Sequence, residues 1–476
     1  MKERCCYGRE VLYASYTQSE LTRDAIIEIL NDVFPIHLKN RADVDYLENY
    51  YKGVQPILNK KKEVRETINN IVVENNAFGI IEFKKSYILG KPIKYVQIGE
   101  TVSEEVSQLN KYMSMNDKHA LDLEIGESLF ISGIGHRIAL PSAKNDSKKP
   151  FILYNLDSKN TFVVYERTIG NRPLLGVTYY AYKNDGKWFY RGSVYTENMY
   201  YEFEFYGLRV EEMKEGVPHV LGRIPIIEYH LNKSRLGLLE VAMSILNTLN
   251  NISSNDMDAI EQTVNSLLVF INQDIDKDTF KELVELGAVK VKSENPSLPA
   301  DVKLLINNVS HEDTKVYYQR LYNNMLFILG LPRMEEKSSG GDTGQARRLG
   351  EGWTSADLRA DQDELAFKMG ERAILEIVLD ICHTDSNSCI VNLEVDDVES
   401  KFERNKSDNL LVKAQALLNL HQSEVSPKSA MSVVGLWSDA NAVCEESQKF
   451  YGEDWWKNKK EKSEDGNAST VEDDKS

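Results

Sequence analysis

Cysteine is scarce in this chain. Five residues, Cys5, Cys6, Cys382, Cys389 and Cys444, serve 476 positions. An odd, thin and unevenly spaced set implies a reducing compartment and no disulfide framework. Long apolar runs are missing too. No stretch of about 18 uninterrupted apolar residues occurs, so no transmembrane helix is expected. The opening MKERCCYGREVLYASY carries charge but no apolar core, so no signal peptide is evident. Positive charge is in deficit: 57 Lys and Arg stand against 74 Asp and Glu, a net −17. Tight binding to DNA calls for a basic face that neutralises phosphates. This chain as a whole repels nucleic acid, so any contact with DNA must stay weak.

Catalytic signatures are also lacking. The stretch SSGGDTGQARRLGEGW (338–353) has the glycines of a phosphate loop. Such a loop needs Lys followed by Ser or Thr, and a strand before it. Gln345 follows Gly344 here, and the preceding pattern is helical. The eight histidines form no H-E-x-x-H pair, and Cys382, His383 and Cys389 fit no zinc ribbon. Phe130 stands where a nucleophile elbow at Ser132 would need glycine. No catalytic residue, metal site or cofactor is expected. A nucleotide-binding enzyme using 340–344 remains the less favoured alternative.

What is present is periodicity. Residues 20–33 and 42–52 have helical spacing, as does the first part of 60–95, where Val64, Ile68, Ile71 and Val72 share a side. Gly90 and Pro92 stop that pattern before a β-like KYVQI. From about 128 to 230 the chain reads as strands: SLFISGIGHRIAL, TFVVYER, GVTYYAY, KWFYRGSVYT and MYYEFEFYG, with Asp185-Gly186 as a hairpin turn. Residues 236–268 read as one long helix or two collinear ones. Apolar Leu238, Ala242, Ile245, Leu249, Ile252, Ile260 and Val264 line one face, and Asn, Ser, Asp and Gln the other. A compact αβ stretch, 269–306, follows. Another helix opens after Ser310, with Tyr317, Leu321, Met325 and Ile328 aligned. A further helix starts near Ser355, and 407–450 is helical again. The final residues are charged and nearly free of apolar groups, as in a disordered tail.

YYKGVQPIL with KKKEVRETINNIVVENNAFGIIEFKKSYILGKPIKY, then GRIPIIEYHLNKSRLGLLE, SSNDMDAIEQTVNSLLVF and GGDTGQARR, in this order, resemble portal proteins of long-tailed phages of Gram-positive hosts. The resemblance covers about residues 20–385. It implies an α+β, mainly α, portal fold with wing, stem, clip and crown, assembled as a ring of twelve around a channel. Carried over, the regions are wing 1–235, first stem helix 236–268, clip 269–306, second stem helix 307–330, tunnel loop 331–352, long wing helix 353–389, crown 390–452 and acidic tail 453–476. The implied task is passage of double-stranded DNA at one capsid vertex, in packaging and ejection. The implied partners are the terminase large subunit, the major capsid and scaffolding proteins, and a head-completion adaptor. No membrane is involved, and the place of action is the virion after assembly in the host cytoplasm. Lys337, Gly340, Gly341, Gly344, Gln345, Arg347 and Arg348 are the expected channel-facing residues of the tunnel loop, with Lys315 and Arg320 as stem candidates. A ring-forming structural protein outside DNA transport is the other alternative.

Overall fold

The computed structural model describes residues 7–63, 66–98, 104–142, 149–206, 209–264, 267–271, 301–305, 311–333, 352–404, 410–437, 439–452 and 455–456. Two compact units emerge. The first comprises 46–80 and 239–356 together with the N-terminal six residues; the second comprises 7–45, 81–238 and 357–476.

Along the chain, strand β1 (Leu12–Ala14) precedes helix α1 (Arg23–Tyr51). The sequence suggests two helices here, and the structure has one, with Pro35 inside it. Proline removes one backbone donor, but Ile26, Ile29, Leu30, Val33 and Phe34 are buried on one face and carry the helix through. Helix α2 (Asn76–Leu89), strand β2 (Lys94–Gln97) and helices α3 (Glu104–Met115) and α4 (Lys118–Ser132) follow. Half of the expected strand SLFISGIGHRIAL is therefore the end of α4. Short apolar runs fit a buried helix and a buried strand equally, and the boundary is Gly133, whose φ of 79° caps the helix.

The β-rich part matches the reading from there on. Strands β3 (Ile134–Pro141), β4 (Phe151–Leu156), β5 (Thr161–Glu166), β6 (Pro173–Asn184), β7 (Lys187–Tyr195), β8 (Met199–Tyr206), β9 (Glu212–Met213), β10 (Val217–Pro218) and β11 (Ile226–His230) form two sheets. One runs β1-β5-β6-β7-β8-β10, with β9 also on β8; the other runs β11-β3-β4. Asp185 and Gly186 both have positive φ, as a tight hairpin turn requires. Residues 23–45 of α1 lie on one face of the large sheet, with Phe34 edge-on to Phe205 at 5.0 Å. On the opposite face Ile138, Ile224 and Ile226 of the small sheet's side meet Val163. The approach is close: a Cβ at Gly176 would lie 2.8 Å from Ile224.

Helix α5 (Leu238–Val264) leads to β12 (Leu267–Ile271), which pairs antiparallel with β13 (Asp301–Leu305). Helices α6 (His311–Leu329) and α7 (Trp353–Thr384) come next. Strand β14 (Val398–Lys401) pairs with β2, and α8 (Leu410–Gln422), α9 (Pro427–Val434) and α10 (Ala440–Tyr451) complete the chain. Trp455 and Trp456, which the sequence reading gives to the tail, pack against Met431, Ala440 and Cys444. Among the described residues no helix is long and apolar enough to cross a membrane.

The second unit is pinned by a charged cluster that sequence reasoning does not find. Glu371 of α7 is fully buried. Its carboxylate accepts from Lys118 (2.9 Å), Tyr95 (2.7 Å) and Tyr229 (2.8 Å), and Arg137 lies at 3.3 Å. Asp122 sits between Lys118 (2.5 Å) and Arg137 (2.9 Å). Burial alone would raise the Glu371 pKa, but Lys118, Arg137 and the hydrogen bonds outweigh it and hold it below the usual value. Five elements, α4, β2, β3, β11 and α7, meet at this carboxylate. Removing one member of such a buried set strands the others in a dry interior, at a cost of about 3–5 kcal/mol. Glu371→Ala should therefore lower the thermal unfolding transition by that order. A variant that melts with the wild type would show that the cluster does not hold these elements.

Candidate functional site

The sequence-derived site residues divide into two groups. Lys337, Gly340, Gly341, Gly344, Gln345, Arg347 and Arg348 lie outside the described residues, as does most of 269–306. Lys315 and Arg320 are described, and both are exposed on α6. At 3.6 residues per turn, five positions separate them by about 140° around the helix, so they do not share a face. Met325, Leu326 and Leu329 form the buried side of α6. Arg320 points to the opposite side, the side that also presents exposed Val316 and Phe327. Lys315 falls within the arc spanned by Met325, Leu326 and Leu329, but stands exposed near the start of the helix.

The helices themselves are held in an unexpected manner. Helix α5, at about 1.5 Å per residue, is roughly 40 Å long. Over its first turns the buried face is apolar: Leu239, Ala242, Met243, Leu246 and Leu249. Farther on it becomes polar. Asn250, Ser254 and Asp258 are buried, whereas Met257 and Ile260 are exposed. The sequence reading places apolar and polar residues on opposite faces, and in the second half of α5 it is the polar face that is buried.

The reason lies in residues 68–75, which the sequence suggests are helical and the structure shows without helix. An extended segment in a folded unit must find partners for its backbone groups. Here α5 supplies them. The Asn70 amide donates to Asp258 Oδ1 at 2.6 Å, the Val72 amide to Ser254 Oγ at 3.0 Å and the Glu74 amide to Asn250 Oδ1 at 3.1 Å. Every second residue of the segment meets every fourth residue of the helix. Two extended residues advance about 6.6 Å and four helical residues about 6 Å, so the two repeats keep step over three rungs.

One end of this ladder is charged. Asp258 Oδ2 takes Lys60 Nζ at 2.7 Å and Lys62 Nζ at 2.5 Å. Lys60 also donates to the Asn70 carbonyl at 3.2 Å, and Asn70 Nδ2 reaches Glu261 at 2.6 Å. At the other end Glu74 accepts from Ser253 of α5 and Tyr318 of α6, so the segment joins both long helices. Burial would raise the Asp258 pKa; the hydrogen bonds from Lys60, Lys62 and Asn70 overcome this and hold it far below the usual carboxylate range. Gln55, packed between Asn75 and Asn250, closes the top. A run of Asn, Ser and Asp at fourfold spacing on a long helix is the signal that could have found this ladder.

Among the described residues no group of three or more His, Cys, Asp or Glu is placed to hold a metal ion. Cys382 is buried, which pushes its thiol up to about 12, and Cys389 is exposed. The arrangement is one of long helices joined by polar seams. Residues 30–464 match the family model described as phage portal protein, SPP1 Gp6-like, and the chain belongs to that family. The portal protein of Bacillus phage SPP1 is 21% identical over 308 residues, a stretch that is 61% of this chain and 58% of that relative. Among solved structures, a chain of the virion of a native gene transfer agent particle is similar, with 12% identity, a TM-score of 0.41, and coverage of 76% of this chain and 90% of that one. A chain in the neck of an empty particle of that agent gives a TM-score of 0.43 with the same identity and coverage.

Asp258→Asn keeps the shape of the rung but removes the charge that two lysines neutralise. The expected loss is about 2–3 kcal/mol. A depressed carboxylate stabilises the fold fully above its unfolded pKa of about 3.9 and loses that contribution as pH falls toward the folded value. The gap in unfolding temperature between wild type and variant should be constant at neutral pH and close below about pH 4. A gap that persists in acid would mean that charge at Asp258 contributes nothing.

Proposed function

We propose that this protein is the portal of a tailed phage: copies of the chain form a ring, twelvefold by family resemblance, at one capsid vertex, and double-stranded DNA enters and leaves through its channel. The family match across residues 30–464 carries this reading. On it, the terminase large subunit docks during packaging and a head-completion adaptor afterwards, with the scaffolding and major capsid proteins around the ring. The protein does no chemistry; the motor hydrolyses ATP.

The charge balance supports such a task. Each phosphate contact adds a salt slope of about −0.9, and a channel with many contacts would act as a brake. A chain of net charge −17, with few cations facing inward, lets DNA slide. The 331–352 segment would line the constriction, its four basic and four acidic residues in balance. For the stem, the geometry favours dividing the two candidates. Arg320 shares its exposed face with Val316 and Phe327, and an apolar face with one cation suits a neighbouring copy of the chain. Lys315 is then the channel candidate.

Electron microscopy of purified protein should show rings with a central hole, twelvefold or near it. A persistent monomer at high concentration would overturn the reading. Phe327→Asp should shift the protein toward monomers in sedimentation, whereas Lys315→Ala should leave rings intact and change DNA packaging or retention. Intact rings in Phe327→Asp together with broken rings in Lys315→Ala would reverse the assignment of the two faces.

A further inference from the structure

The ladder between residues 70–74 and α5 has one rung more than it uses. Every fourth position on that face of α5 reads Leu246, Asn250, Ser254, Asp258, Gln262. Three backbone amides, of Asn70, Val72 and Glu74, occupy Asp258, Ser254 and Asn250. Gln262, half-buried, is the next acceptor along the same row. Past the other end stands Leu246, which is apolar and buried. All the acceptors are side-chain oxygens, and all the donors are identical backbone N–H groups.

We propose that this contact has two registers. One is the register seen here; in the other, α5 is displaced along its axis by four residues, about 6 Å, so that Asn70 faces Gln262, Val72 faces Asp258 and Glu74 faces Ser254. None of the three backbone amides loses its partner in the exchange, while the Asn250–Gln55, Ser253–Glu74 and Asn247–Tyr50 bonds are given up. Asn250 leaves Gln55 and the Glu74 amide and moves toward Asn76, the first residue of α2 beyond the left-handed Asn75, where a helix leaves its backbone N–H without an intrahelical acceptor. The reverse displacement would set the Glu74 amide against Leu246 and is barred by the desolvation cost of an unpaired donor. The motion therefore has one permitted direction.

Charge selects between the two registers. Lys60 and Lys62 ride with the segment, since Lys60 holds the Asn70 carbonyl and Asn69 holds the Lys60 carbonyl. In the observed register both ammonium groups meet the Asp258 carboxylate. In the displaced register they face the neutral Gln262, and Glu261, which now takes the Asn70 side chain, moves past them. Asp258 with its two lysines is the lock of the ladder, and Ser254 and Asn250 are its exchangeable steps.

The test uses full-length protein and electron cryomicroscopy at side-chain resolution. Asp258→Ser keeps an acceptor at the rung and removes the lock. It should yield a second particle class with α5 shifted by four residues, about 6 Å, absent from the wild type. Adding Gln262→Leu should abolish that class. Lys60→Gln with Lys62→Gln leaves all four acceptors in place and should show the same two classes, which also decides the matter where Asp258→Ser does not fold. A single native register in the folded lysine variant, or a displaced class that survives Gln262→Leu, overturns the proposal.

Discussion

A segment that belongs to neither helix nor sheet has to hydrogen-bond to something, and the first unit is organised around that need. The amides of Asn70, Val72 and Glu74 find their partners on a helix. A helix normally offers a strand nothing, because its own backbone groups are used internally. Only side chains can serve, and only at a period that matches the strand. That constraint explains why half of α5 buries Asn, Ser and Asp and exposes Met257 and Ile260. It also explains why Glu74 can receive α5 and α6 at once through Ser253 and Tyr318.

The same constraint marks the limit of what the sequence discloses. Long α5, α6 and α7, the β-rich middle and the Asp185-Gly186 turn are legible because each repeats a local period or a turn signal. Residues 68–75 are misread because Ile68, Ile71 and Val72 fit a helical spacing, while the partners that make the segment extended lie about 180 residues away. The end of α4 is misread because a buried helix and a buried strand carry the same apolar residues. The Glu371 cluster is invisible for a related reason: its six side chains come from five elements, and nothing local distinguishes Glu371 from the exposed acids of α7. The region order of the resemblance extends well beyond what local periods could supply, because it draws on the whole chain. Its tunnel-loop residues fall outside the described residues, and its two stem residues stand on different sides of α6.

Two polar interiors thus do different jobs. Around Glu371 the charges are balanced, enclosed and tied to five elements, which fixes one arrangement. Along α5 the partners are mostly neutral and repetitive, and Asp258 alone among the rungs takes two lysines. The first kind of contact resists displacement in every direction. The second resists separation and, on the two registers proposed for it, yields along the axis. A protein whose proposed work is to let a long polymer move past it has use for both.

The burial of the Glu371 cluster also separates two responses to ionic strength. Counter-ions at physiological concentration weaken exposed pairs across a Debye length of about 8 Å, but they do not enter a site where Arg137 and Glu371 have no exposed side-chain surface. The Glu371 cluster of the second unit keeps its internal electrostatics as the surrounding electrolyte changes. Exposed pairs such as Arg372 with Asp396 follow the bulk ions directly. Salt is therefore a dial that tunes the exposed pairs of this unit while its buried cluster stays unaltered.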